Sequence, residues 1–117
     1  ICFLMSDERQ ELWIDKVRSF AKPIQEAEYD VFEAEANIKR IKARLMLEAT
    51  ASGCRTVASQ ETFAEDSPRL YEARIALAKS KGLLSGLKVQ LDAIKVGFEE
   101  WRTKMVNARE EQKRYGA

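Results

Sequence analysis

Lys39, Arg40, Lys42 and Arg44 crowd four cations into six positions, interleaved with the apolar residues Ile38, Ile41 and Leu45. Ammonium and guanidinium groups at this spacing recognise anions; they neutralise charge and make or break no bond. A second set, Arg74, Lys81, Lys88, Lys95, Arg102 and Arg109, recurs every seven residues. On a helix this forms a straight basic row about 52 Å long. Nucleic-acid phosphates are evenly spaced anions, and lysine and arginine contacts to them are sequence-independent and salt-sensitive. Single strands also need stacking platforms, and Tyr71, Phe63 and Tyr115 lie outside the main apolar pattern. The candidate strand-binding residues are therefore Lys39, Arg40, Lys42, Arg44, Arg74, Lys81, Lys88 and Lys95. The competing use of such a row is pairing with acids along a coiled coil, and Glu28 and Glu35 hold the equivalent flank of the preceding helix. Two acids do not neutralise six bases, and Lys42 continues that flank with the wrong sign.

Bond-making chemistry finds little material. The chain has no histidine, so the commonest general base and metal ligand is missing. Cys54 consequently lacks the partner that thiol catalysis needs, and no glycine-rich phosphate loop occurs. Glu26, Asp30 and Glu33 share a helical face and could hold magnesium, although carboxylates at such spacings are ordinarily solvated. The expectation is a non-catalytic protein with no cofactor and no metal.

The elements that must position these cations follow from composition and spacing. The chain has 117 residues, 33% of them charged and 45% hydrophobic, with five glycines and two prolines. That profile predicts one all-α domain of coiled-coil character whose helices need partner subunits to bury their faces. No apolar run approaches the roughly 18 residues of a membrane span, and "ICFLM" is too short for a signal-peptide core. A cytoplasmic protein that binds no membrane is expected. Met5 reads as a natural start, and residues 1–6 as a disordered extension. Cys2 and Cys54 read as free thiols.

Charge is segregated although its sum is only +1. Residues 1–37 hold nine acids and four bases, 38–55 one acid and five bases, 56–72 four acids and one base, and 73–109 three acids and eight bases. Alternating acidic and basic blocks favour self-association as well as anion binding.

Trp13, Val17, Phe20, Ile24, Ala27, Val31, Ala34, Ile38, Ile41 and Leu45 step by alternating fours and threes, the spacing of a heptad seam. Pro23 interrupts it, so residues 7–51 read as a kinked helix pair breaking near residue 21. Residues 52–67 read as a polar connector, with Gly53 a stop signal at its beginning and Ser67–Pro68 a start signal at its end. A long helix over 68–112 carries the second seam: Leu70, Ala73, Leu77, Ser80, Leu84, Leu87, Leu91, Ile94, Phe98, Trp101, Met105 and Ala108. The seams span roughly 50 and 57 Å, as a long antiparallel helical hairpin requires, with Leu45 near Leu70 and Trp13 near residues 101–108. A second stripe on the long helix, Ile75, Ala78, Gly82, Ser85 and Val89, reads as the contact that assembles hairpins into a higher homo-oligomer. Glycine costs about 1 kcal/mol in a helix interior, and close approach of another helix would explain Gly82 and Gly86.

"KARL" (Lys42–Leu45) in a basic helix, then a polar connector, then "LDAIKVGF" (Leu91–Phe98) in a long helix resembles the UvsY family of recombination mediators from T-even-like bacteriophages. The similarity covers roughly residues 25–115. It implies a small helical protein, assembled as a ring, that binds single-stranded DNA and helps a RecA-like recombinase replace single-strand-binding protein. It also implies that Lys42, Ala43 and Arg44 belong to the strand-binding segment. The connector here is shorter than the family's, and residues 1–37 offer no aligned motif. The alternative is a structural or adaptor coiled coil, or a holdase-like phage protein, that binds no nucleic acid.

Overall fold

In a computed structural model the backbone is described for residues 2–115 and the side chains for residues 9–115; Ile1, Gly116 and Ala117 lie outside the described residues. The chain is all-α, with no strand among those residues: α1 spans Cys2–Ser19, α2 Ala21–Ala51, α3 Val57–Glu65 and α4 Pro68–Tyr115. No helix among the described residues is long and apolar enough to cross a membrane. Helix α1 begins at Cys2, whereas the sequence predicts a disordered extension to residue 6. The stretch "CFLMSD" has no glycine or proline to stop a helix from propagating back from the residues that follow.

The break between α1 and α2 falls at Phe20, one residue earlier than the sequence predicts. In a continuous helix the amide of residue 23 would donate to the carbonyl of Ser19. Pro23 has no such hydrogen, and its ring would collide with that carbonyl. The chain therefore turns at Phe20, whose amide donates to the Val17 carbonyl at 3.2 Å, and the Ile24 amide then donates to the Phe20 carbonyl at 3.0 Å to start α2. Pro23 thus sits in the first turn of α2, where no donor is required. The Ser19 hydroxyl donates to the Lys16 carbonyl at 2.6 Å.

Helix α2 ends where Gly53 predicts. The Gly53 backbone has φ +100°, a conformation that side chains with a Cβ avoid. It lets the Cys54 amide reach the Ala49 carbonyl at 2.9 Å and the Gly53 amide reach the Thr50 carbonyl at 3.2 Å. These two bonds form a Schellman cap. The expected loop over 52–67 is instead largely helix. Thr56, in extended conformation, accepts from the Ser59 amide at 3.1 Å. The Ser59 hydroxyl lies 3.3 Å from the Thr56 amide, which closes a reciprocal capping box and starts α3. Helix α4 then begins at Pro68, whose fixed φ suits the first helical position.

The helices form two compact units. One, residues 25–85, is a helical hairpin with α3 at its turn. Its buried residues are Leu45, Ala49, Ala64, Leu70 and Ala73. Leu45 meets Leu70 as expected, but with Ala64 of α3 between the helices, and Ile38, Ile41 and Met46 pack around them. The other unit, residues 1–24 with 86–117, pairs α1 with the later part of α4. None of its described residues is fully buried. Trp13 packs on Phe98 with ring centroids 6.3 Å apart, and Phe98 stacks on Trp101 at 6.0 Å. The Trp13 partner is thus nearer the start of α4 than expected, and Gly97 is the reason. A Cβ there would lie 3.0 Å from Trp13 Cη2, so only glycine leaves the indole ordinary room.

Three substitutions check this packing. Leu70→Ala should cost about 2–5 kcal/mol in denaturant unfolding, as for other fully enclosed leucines. A Cβ added at Gly86 would meet nothing within 4 Å, so Gly86→Ala should stabilise the isolated chain by roughly 1 kcal/mol. Gly97→Ala should give a smaller gain or a loss, because Trp13 must shift.

Candidate functional site

The cations divide by environment. Lys39, Arg40 and Arg44 are exposed on α2, and among the described residues they make no ion pair. Lys42, one position round the helix from Ile41, is only partly exposed, and its Nζ lies 3.7 Å from Glu65 Oε1. Arg74 on α4 donates to both oxygens of the same carboxylate, with Nη2 to Oε1 at 2.7 Å and Nη1 to Oε2 as the second bond. Glu65 therefore holds α2 and α4 to the end of α3. Beside it, Arg69 Nη1 donates to Glu48 Oε1 at 3.3 Å.

The basic row is equally mixed. Lys81 and Lys95 are exposed and without an ion pair among the described residues. Lys88 and Arg109 each have an interaction of their own, as does Glu28. Arg102 lies 3.7 Å from Glu99 and its guanidinium is 5.8 Å from the Phe98 ring centroid. Of the eight candidate residues, Lys39, Arg40, Lys42, Arg44, Arg74 and Lys81 belong to the hairpin unit, whereas Lys88 and Lys95 belong to the other unit; Lys42 and Arg74 converge on Glu65. Aromatic groups suited to stacking are exposed in the hairpin unit: Tyr71 at 65% and Phe63 at 38%.

Glu65 is the residue that spacing does not reveal. It lies in the stretch that reads as connector, and the signal for its helix is Thr56 with Ser59 three residues on, a capping pair without the glutamate or glutamine usual at its second position. The hydrogen bonds from Arg74 hold the Glu65 carboxyl below its ordinary value, against a smaller opposing effect of desolvation and with help from the charges of Arg74 and Lys42. The same contact raises the Arg74 guanidinium. Arg74 and Lys42 are thereby committed first to the fold.

An open groove runs along the other flank of the hairpin, where Asp30, Glu33, Asn37 and Arg40 of α2 stand above Ala73 and Ala76 of α4. Its acids do not form a metal site: among the described residues no three acids or cysteines converge closely enough to hold a metal ion.

The Glu65 contact has a definite pH signature. A carboxylate whose folded pKa is depressed contributes stability above its unfolded pKa and loses it as pH falls through the folded value. Thermal unfolding should show Glu65→Gln less stable than the parent at neutral pH, with the difference vanishing as the medium is acidified below the ordinary glutamate range.

The chain matches no family model, no curated protein and no solved structure.

Proposed function

We propose that this chain is a non-catalytic, self-associating cytoplasmic protein that binds single-stranded DNA through α2. One observation carries the reading. Lys39, Arg40 and Arg44 stay exposed and without an ion pair among the described residues, whereas Lys42, Arg74 and Arg102 are engaged by acids of the same chain. Cations left to water are available to phosphates at little reorganisation cost, and release of counterions supplies the binding free energy. Tyr71 and Phe63, exposed in the same unit, suit the stacking that unpaired bases require.

The resemblance of Lys42–Leu45 and Leu91–Phe98 to UvsY-family mediators extends the proposal. In that role the protein forms a ring and helps a RecA-like recombinase replace single-strand-binding protein. The stripe of Ile75, Ala78, Gly82, Ser85 and Val89 serves assembly in this reading, supported by the open space around Gly82. The second reading, an adaptor coiled coil or holdase without nucleic-acid binding, draws on the closure of Lys42 and Arg74 around Glu65. There the remaining bases answer acids of neighbouring chains.

Binding of an unstructured oligonucleotide at a series of salt concentrations separates the two. Affinity should fall steeply with salt and depend little on sequence. Lys39→Ala with Arg44→Ala should weaken binding and reduce the salt slope by about 1.4, at 0.7 for each single-strand phosphate that is no longer neutralised. A parent that binds nothing, or a double variant that binds as tightly as the parent, leaves the adaptor reading in its place.

A further inference from the structure

The exposed face of α2 beside the groove reads, in order, Glu26, Asp30, Glu33, Asn37, Arg40 and Arg44, and all six are exposed. Its first three positions are acids and its last two are bases, with the neutral Asn37 between them. Residues 25–37 contain five acids and no base, and the four residues Lys39, Arg40, Lys42 and Arg44 follow at once. Within one helix this order is unfavourable. Glu26 with Asp30, Asp30 with Glu33, and Arg40 with Arg44 are like charges three or four residues apart, the spacing at which helix side chains are neighbours and repel. Glu33 and Arg40 have opposite signs but lie seven residues apart, two turns along the helix. None of the five charged residues makes an ion pair among the described residues.

The same order becomes favourable against a reversed copy of itself. We infer that this face docks a second copy of the chain, with the two α2 helices antiparallel across a two-fold axis at Ala36 and Asn37. In that register Glu33 meets the partner's Arg40 at about 5 Å along the helix from the axis, and Asp30 meets the partner's Arg44 at about 10 Å. Each pair occurs twice, as an isologous interface requires. The crossing point suits close approach. Ala36 and Asn37 are small, and the adjoining groove is floored by Ala73 and Ala76, which permits the 8–10 Å between axes typical of packed helices. Leu47 and Tyr29, 71% and 65% exposed, flank the charged positions and gain cover from the partner.

Charge complementarity selects this occupant. A nucleic-acid strand laid along the whole face would be drawn to Arg40 and Arg44 but would set its phosphates against Asp30 and Glu33. A purely basic or purely acidic partner would satisfy half the face and repel the other half. Only a helix with the acidic and basic halves in reversed order satisfies both, and a second copy of this chain supplies it. The pairing does not rest on strand binding; the two compete for Arg40 and Arg44 where both occur.

Charge exchange tests the register. Sedimentation velocity should find the parent as a dimer or an even-numbered assembly of dimers. Glu33→Arg alone and Arg40→Glu alone each turn two attractive pairs into two repulsive ones, and each should raise the dissociation constant roughly tenfold or more. An equimolar mixture of the two variants should recover association as a one-to-one complex. The single chain carrying both changes should again self-associate. Circular dichroism establishes that each variant keeps its helix; if one does not, Glu33→Gln and Arg40→Gln replace the reversals. A monomeric parent, single variants that associate as tightly as the parent, or a mixture that stays dissociated would each overturn the inference. Loss of oligonucleotide binding with association intact bears on the proposed function alone.

Discussion

Leu70 is the largest side chain fully withdrawn from water among the described residues, and three helices meet at it. Its closure against Leu45 and Ala64 is possible only if α2 stops in time, the chain reverses through α3, and α4 starts at a fixed place. The Schellman cap at Gly53 sets the first condition, the capping box of Thr56 and Ser59 the second, and Pro68 the third. A leucine of this kind contributes about 1.5–3 kcal/mol by leaving water. That is a large share for a hairpin whose other buried residues are mostly alanines. The small side chains Ala49, Ala64 and Ala73 let the helices come close, so the gain is in packing as much as in buried area.

Polar contacts finish what Leu70 begins. Glu65 stands at the last turn of α3 and collects Lys42 from α2 and Arg74 from α4. A partly exposed carboxylate in water contributes little as a single ion pair. A bidentate guanidinium adds direction to the attraction, and here it orients the end of a helix of only nine residues. The same arrangement sorts the cations of the hairpin into those held by the fold and those left facing solvent.

Much of this is legible in residue order. The end of α2 and the start of α4 follow from Gly53 and Pro68, the break near Pro23 from a missing amide, and the meeting of Leu45 with Leu70 from apolar spacing. Helix α3 is not legible, because its apolar residues do not mark a buried face. Val57 is 64% exposed, and only Ala64 is buried. A nine-residue helix with one buried alanine has no period to detect, and its N-terminal cap is the sole signal. Heptad counting puts Trp13 at the wrong turn of α4 because it treats all positions as equal. The space above Gly97 does not appear in such a count. For the cations, spacing gives the positions but not which are engaged, since the engaging acid lies in α3.

The location of the buried residues has a kinetic meaning. Among the described residues every one of them falls between Leu45 and Ala73, in a segment that already contains its own turn, helix caps and the Glu48–Arg69 ion pair. Closing it requires only short-range loops, whose entropy cost is low. Trp13 and Phe98, by contrast, come from opposite ends of the chain and meet in a unit without a fully buried side chain among its described residues. Folding that starts at the Leu70 contact and reaches the aromatic contacts last follows from that distribution. On that distribution the amides around Ala49 and Leu70 should exchange with solvent more slowly than those around Trp13 and Phe98.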